Sequence, residues 1–237
     1  NGDSMLVGEN GFTATPIFTV GETFSGTTGA LNSTTAGDYT PVGILDGIGA
    51  YELDGGQTVR VFANHELAAN DGYAYEVSNG GGGTFTIGGG ARISYFDIDK
   101  TTKQITDSGL AYNTIYDQTG TIATNTDFTF EGGSGFNRFC SSVLIEAQQF
   151  GAGRGLENRI YFAGEETGGV FSNIGGNEWA LDVATGDLWA LPDFGRGAWE
   201  NVAEVDTGTT DKVAFILMDD TAPFDITEAP DFSSSND

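Results

Sequence analysis

Arg159-Ile-Tyr-Phe-Ala-Gly-Glu165-Glu166 is an apolar run that ends in two adjacent carboxylates. Two other segments share this pattern, and they are Val59-Arg-Val-Phe-Ala-Asn64-His65-Glu66 and Val213-Ala-Phe-Ile-Leu-Met-Asp219-Asp220. Short apolar or alternating runs of this length are typical of β-strands. The three segments therefore predict one β unit that is used three times.

The segments around these strands predict what the unit contains. A strand and a turn come before the acidic-ending strand, and a loop, a third strand, a tight turn and a fourth strand follow it. Four antiparallel strands of this kind are typical of a β-propeller blade. The sequence thus predicts an all-β fold: a partial β-propeller of about three blades over 41–237, preceded by an N-terminal arm over 1–40.

The predicted strands are short, and little helix is expected. Gly accounts for 37 residues, which indicates a turn-rich β protein. We expect strands near 59–66, 91–99, 159–166, 178–183, 188–191 and 212–219.

The third copy of the unit has no recognisable outer two strands. An unpaired sheet edge is a liability that finished domains normally avoid. We therefore expect this chain to continue in a longer one, or a second chain to complete it. A homo-oligomer or another assembly through the open edge would be one such arrangement.

The charge balance limits the partners. Lys and Arg total 9 and Asp and Glu total 34, which gives a formal net charge of −25. Neutralising nucleic-acid phosphates needs clustered Lys and Arg, so a nucleic-acid partner is not expected. No apolar run approaches the roughly 20 residues of a membrane span, so no membrane insertion is expected.

Acidic excess favours binding of hard cations such as Ca²⁺. The start, Asn1-Gly-Asp, fits a processed, exported chain and fits an arbitrary boundary equally well.

The repeat predicts a cluster of metal ligands, because equivalent positions of successive blades surround one axis. Carboxylates crowded at one site require cations between them, and a thiolate among them favours a transition metal. The strand ends contribute Glu66, Glu165, Glu166, Asp219 and Asp220, and the starts of the first strands contribute Asp46, Cys140 and Glu200.

Simpler interpretations stay open for each of these residues. The acids can be exposed groups at ordinary strand ends, and Cys140 can be a small buried hydrophobic residue. His65, the one histidine, can be a hydrogen-bonded partner rather than a base. Arg138, Arg154 and Arg196 are candidate anion binders, and each can instead pair with neighbouring carboxylates.

These motifs resemble a known family. Residues 41–220 resemble the N-terminal half of the PhoX-type alkaline phosphatases and their relatives of unknown function, a family of six-bladed propellers. The matching segments are Gly43-Ile-Leu-Asp46-Gly47-Ile-Gly-Ala-Tyr51, Asn64-His65-Glu66, Arg138-Phe-Cys140-Ser, Gly164-Glu165-Glu166 and Gly195-Arg196-Gly-Ala-Trp199-Glu200. In the last of them, Trp199 stands where the family has a histidine.

The resemblance implies Ca²⁺ and iron (Fe³⁺) in the central channel and hydrolysis of phosphate monoesters outside the cytoplasm. By position, Glu66 and Glu200 resemble calcium or bridging carboxylates, and Cys140 resembles the thiolate ligand of iron. Glu165 or Glu166 resembles a further metal carboxylate.

Two functions follow as expectations. The first is a secreted or periplasmic, metal-dependent phosphomonoesterase that acts on small phosphate esters, with Arg196 helping to stabilise the transferring group. The second is a calcium-stabilised extracellular surface or matrix scaffold without catalysis.

Overall fold

The computed structural model describes residues 6–31, 37–167 and 172–221. Its regular structure is almost entirely β. The strands are β1 Phe24–Thr27, β2 Gly29–Ala30, β3 Gly37–Tyr39, β4 Leu45–Leu53, β5 Thr58–His65, β6 Tyr75–Ser78, β7 Thr84–Ile87, β8 Arg92–Asp99, β9 Ile105–Leu110, β10 Thr114–Tyr116, β11 Thr129–Phe130, β12 Gly133–Ser134, β13 Phe139–Ile145, β14 Ile160–Glu165, β15 Glu178–Asp182, β16 Asp187–Ala190, β17 Trp199–Val205 and β18 Ala214–Asp219. Three short 3₁₀ helices lie at Asp54–Gly56, Asn125–Asp127 and Pro192–Phe194.

Two five-stranded sheets share one topology. In sheet 1 the order is β4-β5-β8-β9-β2, and in sheet 2 it is β13-β14-β15-β16-β10. In each of these sheets, four strands follow one another in chain order and are antiparallel to their neighbours. The fifth, outermost strand is parallel to its neighbour and comes from an earlier part of the chain. Among the described residues, sheet 3 contains only β17 and β18. The predicted all-β class is confirmed, as are the six predicted strands, but the described residues form no closed sheet.

The three sheets begin with the same bulged hairpin. Each first strand pairs with the acidic-ending strand, and the pairing register shifts near its start. The backbone N–H of the residue after each acidic-ending strand donates to a carbonyl just before the first strand, at 2.9 Å in every case. These bonds are Glu66 to Ile44, Glu166 to Arg138, and Asp220 to Ala198. The predicted equivalence of the three segments is therefore confirmed at the level of single hydrogen bonds.

Glycines allow the first strands of sheets 1 and 2 to lie against each other. A Cβ atom at Gly47 would fall 2.5 Å from Oγ of Ser142 and 2.6 Å from its backbone nitrogen. A Cβ atom at Gly49 would fall 2.9 Å from the Tyr161 ring. Side chains larger than hydrogen do not fit at these distances, so β4 can approach sheet 2 this closely only because glycine occupies both positions.

Aromatic residues dominate the core. The larger cluster packs under sheets 1 and 2 and includes Trp179, Phe136 and Tyr161, which are at most 1% exposed. A smaller cluster, with Phe162 and Val202, fills the space between sheets 2 and 3. The sheets are thus fixed relative to one another by apolar burial, which positions the strand starts described below.

Part of the predicted N-terminal arm belongs to sheet 1, since β2 is its outermost strand. Residues 1–5 and 32–36 of that arm lie outside the described residues, as does the predicted polar tail at 233–237. Within the described ranges, no helix has the length and apolar character needed to cross a membrane.

Candidate metal centre

The bulges place three potential ligands side by side. Asp46, Cys140 and Glu200 each lie in the irregular part of a first strand, where one extra residue interrupts the pairing. The Sγ atom of Cys140 lies 3.4 Å from Oδ2 of Asp46 and 3.8 Å from Oε2 of Glu200. Bulges re-aim side chains away from the regular alternation of a strand. Here they direct a thiol and two carboxylates towards one another.

Two strand ends complete the cluster. Potential ligand atoms of Asp46, Glu66 and Cys140 all lie within 4.8 Å of one another, and so do those of Cys140, Glu166 and Glu200. Cys140 belongs to both groups and lies between them. We call these five residues the Cys140 cluster. The predicted grouping of strand ends with strand starts is therefore observed for these residues.

Arg138 is the cation at the Cys140 cluster. Its guanidinium donates to Oε1 of Glu66 at 2.7 Å and to Oε2 of Glu166 at 2.8 Å. The Arg138 side chain is 45% exposed, whereas the side chains of Glu66 and Glu166 are 19% and 11% exposed. Arg138 also adopts a positive φ of 56° in the left-handed region, immediately before β13. Arg138 therefore joins the two strand-end carboxylates of the cluster through charge-assisted hydrogen bonds.

The clustered acids affect the protonation of their neighbours. Partial burial, together with hydrogen bonds to Glu166 and Asp46, raises the pKa of the Cys140 thiol. Partial burial and a hydrogen bond with Asp220 raise the pKa of Glu166, although Cys140 and Arg138 act in the opposite direction. Asp220 therefore lies at the edge of the cluster. The crowded carboxylates favour the neutral thiol of Cys140, and a bound metal ion would have to displace that proton.

A buried polar layer holds the bulges in place. The Nδ2 atom of Asn64 donates to the carbonyl oxygens of Cys140 at 2.9 Å and Ser141 at 3.0 Å. The Tyr161 hydroxyl lies 3.0 Å from the carbonyl oxygen of Gly47 and 3.0 Å from Oδ1 of Asn64. Asn64 and Tyr161 are both fully buried. Sequence reasoning missed this layer. The available signal was strand alternation, which places Asn64 and Glu66 on the same face and His65 on the other.

Glu165 does not face the Cys140 cluster. It is fully buried, and its carboxylate accepts hydrogen bonds from the backbone N–H of Asn137, Gly176 and Asn177 at 3.0, 2.9 and 3.3 Å. The indole Nε1 of Trp179 is a fourth donor at 3.1 Å. Burial raises the pKa of Glu165 to about 7. Of the two candidate carboxylates, the structure places Glu166 at the cluster and Glu165 in the core, since adjacent strand residues point to opposite faces.

Two other predicted site residues are engaged elsewhere. Oδ1 of Asp219 accepts hydrogen bonds from the backbone N–H and the hydroxyl of Thr221, at 2.9 and 2.6 Å. The guanidinium of Arg196 donates to the backbone carbonyls of Ser172 and Asn173. Neither residue is among the groups around Cys140 in the described part of the chain.

The simpler interpretations are confirmed for three residues, and the first is Arg138, which pairs with two carboxylates as described above. Arg154 pairs with Asp206 at 2.6 Å. Nδ1 of buried His65 lies 3.2 Å from the Gly43 carbonyl oxygen and donates to it, while Nε2 accepts from the Ser94 hydroxyl at 2.5 Å. Burial lowers the pKa of His65 to about 4, so the imidazole is neutral at physiological pH.

The donor set fits a metal ion. Four carboxylates and one thiol converge, and Arg138 supplies a single positive charge against them. Carboxylate oxygens suit Ca²⁺, and a thiolate selects a softer transition metal. No family model matches the chain, and neither a curated protein nor a solved structure is significantly similar to it.

Proposed function

We propose that the chain is a metal-dependent phosphomonoesterase and that the Cys140 cluster is its metal centre. The observation that carries this proposal is the direction of the Cys140 sulfur, which faces Asp46 and Glu200 rather than the apolar core. A cysteine that only filled space would be surrounded by apolar side chains. The thiol and the converging carboxylates are the donors that an iron and calcium site would use.

The proposal extends to the architecture and the location. The three bulged hairpins would be parts of consecutive blades of a propeller, with the Cys140 cluster at the channel. The resemblance to PhoX-type phosphatases supports this arrangement, and it supports a role outside the cytoplasm on small phosphate esters. Ca²⁺ and Fe³⁺ are the ions we propose.

In this proposal the residues of the cluster divide into two groups of metal ligands. Asp46, Glu66 and Cys140 would hold one ion, and Glu166 and Glu200 would hold a second ion beside it. Bound cations supply Lewis-acid stabilisation of the charge that develops on the phosphoryl oxygens. Arg138, rather than Arg196, would orient those oxygens, because its guanidinium lies at the cluster and is partly exposed.

The first test combines metal analysis with an assay. We expect the purified protein to contain iron and calcium and to hydrolyse p-nitrophenyl phosphate, and Cys140→Ser to lose iron, the visible thiolate-to-metal absorption and hydrolysis. Asp211→Asn is the matched control, since it removes an exposed acid outside the cluster. Removing metal with a chelator should also lower the melting temperature, because ions that bind only the folded state stabilise it. A metal-free protein with an unchanged melting curve in chelator would contradict the proposal.

The scaffold function is favoured by one specific observation. Ile216 and Met218 of β18 are 58% and 44% exposed on the side of sheet 3 that faces away from sheet 2. An exposed apolar row of this kind is typical of an interaction surface. Binding of calcium without iron and without hydrolysis would identify the chain as a calcium-stabilised scaffold.

A further inference from the structure

Arg92 is a buried cation that has no counter-ion among the described residues. It is fully buried in β8, and no carboxylate in the described part of the chain lies within ion-pair distance of it. Its Nη2 atom donates to the carbonyl oxygens of Tyr73 at 2.7 Å and Gly90 at 3.3 Å. Its Nη1 atom has no hydrogen-bond partner among the described residues. Burying a charge is unfavourable unless that charge is paired, so this arrangement needs an explanation.

A cavity of about 280 Å³ adjoins this guanidinium. It lies beside the outer edge of sheet 1, and none of its lining residues belongs to the Cys140 cluster. Its walls include Arg92 and the three tyrosines Tyr39, Tyr73 and Tyr75. The guanidinium carbon lies 4.6 Å from the ring centroid of Tyr73 and 4.3 Å from that of Tyr75. Stacking between two rings fixes the plane of the guanidinium, which is thereby pre-organised to bind a ligand.

Two carboxylates line the same cavity. Asp38 and Glu76 are both exposed, and each accepts one hydrogen bond from the protein at 3.2 Å. Gly26 supplies that bond to Asp38 and Thr84 supplies it to Glu76. Since a carboxylate has about four acceptor positions, both groups retain capacity for a cationic ligand group. The cavity thus combines one buried positive charge with two exposed negative charges.

We infer that this cavity binds a small zwitterion of the free α-amino acid class. The ligand carboxylate lies at the Arg92 end of the cavity, where the buried guanidinium attracts it, and the ligand ammonium group lies towards Asp38 and Glu76. The tyrosine rings form the apolar and cation-attracting walls between the two charges. A phosphate dianion matches the cavity less well, because a single guanidinium faces it and both carboxylates repel it.

The inference is tested with three probes of nearly equal size. L-alanine carries both charges, propionate carries only the carboxylate, and ethylammonium carries only the ammonium group. Ligand-observed NMR titrations on the intact protein give the three dissociation constants. We expect L-alanine to bind about tenfold or more tightly than either singly charged probe, since each charged pairing adds to affinity.

Two sets of variants locate the binding site. Ala74 is an exposed residue of the cavity wall, so Ala74→Phe should fill the cavity without disturbing the core and should abolish alanine binding. The double variant Asp38→Asn, Glu76→Gln should weaken alanine binding and strengthen propionate binding. Arg92→Met would remove the carboxylate partner, but Arg92 is buried, so the surface variants keep the test independent of folding.

Four outcomes would overturn the inference. The first three are an absence of alanine binding to the wild-type chain, propionate binding as tight as alanine binding, and unchanged alanine binding in Ala74→Phe. The double variant overturns it too if alanine and propionate affinities change in the same direction.

Discussion

Among single side chains, Asn64 has the most consequences for the candidate metal centre. It is the donor to two carbonyl oxygens of the β13 bulge, and it is fully buried. Truncating it removes the donor from those part-buried acceptors, which costs part of the desolvation free energy of each group. We expect Asn64→Ala to lower the free energy of unfolding by about 1–3 kcal/mol and to weaken metal binding.

Chemical denaturation and metal titration measure both effects. Asn158→Ala is the matched control, because Asn158 donates a comparable 2.9 Å bond to Asp182 at an exposed position. Equal losses of stability in the two variants would show that the buried position of Asn64 has no special role.

Glu178 makes stability depend on pH. It is 1% exposed, its Oε2 atom has no partner among the described residues, and burial raises its pKa to about 8. Between the ordinary pKa near 4.5 and pH 8, the unfolded chain releases this proton while the folded protein retains it. The contribution of Glu178 to stability is therefore present below pH 4.5 and is lost as pH rises through this window.

Glu178→Gln removes that titration. We expect its stability relative to wild type to increase from pH 5 to pH 8 by on the order of 1 kcal/mol per pH unit, and then to level off. Urea denaturation across this pH range measures the difference, with exposed Glu131→Gln as the matched control. A difference between Glu178→Gln and wild type that does not vary with pH would contradict the assignment.

At the scale of elements, the contact between β4 and β13 depends on Gly47. A methyl group there would overlap Ser142, including its backbone nitrogen at 2.6 Å, so the strands would have to separate. We expect Gly47→Ala to lower the free energy of unfolding by about 1–3 kcal/mol, the usual range for overpacking. Thermal and chemical unfolding measure it.

Gly43 provides the control for this substitution. A Cβ atom at Gly43 would meet only Val20 Cγ1, at an ordinary 3.9 Å. We expect Gly43→Ala to change stability by less than about 0.5 kcal/mol. Equal stabilities of Gly47→Ala and Gly43→Ala would contradict the expected steric conflict between β4 and β13.

The strands could be predicted from sequence, but the details of the site could not. Alternating or apolar runs that end in acids identified β5, β14 and β18, because side-chain period and turn residues are local properties. A bulge adds one residue without a local signature, so the convergence of Asp46, Cys140 and Glu200 was predicted from repetition and not from strand geometry. Which of Glu165 and Glu166 points towards the Cys140 cluster depends on the strand register, and that register is set by pairing elsewhere in the sheet.

Pairing between strands that are far apart in the chain could not be predicted from the sequence either. The outermost strands β2 and β10 are two and three residues long and pair with strands distant in sequence. Segments this short have no periodicity to detect. The hairpin of β6 and β7 is not among the predicted strands, because the glycines around it conceal its alternation.

For the whole molecule, charge and apolar exposure act in opposite directions. The net charge of −25 keeps copies apart at low ionic strength, whereas the exposed Ile216 and Met218 favour contact. Salt screens the repulsion and leaves the apolar attraction. We expect self-association that increases with protein and salt concentration, and Ile216→Lys should reduce it.

Sedimentation velocity at low and high salt measures this behaviour. Val7→Lys is the control, because Val7 is 90% exposed and lies far from β18 in the sequence. A wild-type chain that stays monomeric at high salt, or an equal effect of Val7→Lys, would contradict a role for this face.

The parallel outer strands have a consequence for the order of folding. In sheet 2, β13 to β16 can pair along the chain as successive hairpins, but β10 must return to β16 across the whole sheet, with Thr114 opposite Asp187. Closing such a long loop carries a larger entropic penalty than forming a hairpin. We therefore expect β10 to dock last and to detach first, so its amides should exchange with solvent earlier than those of β14 and β15.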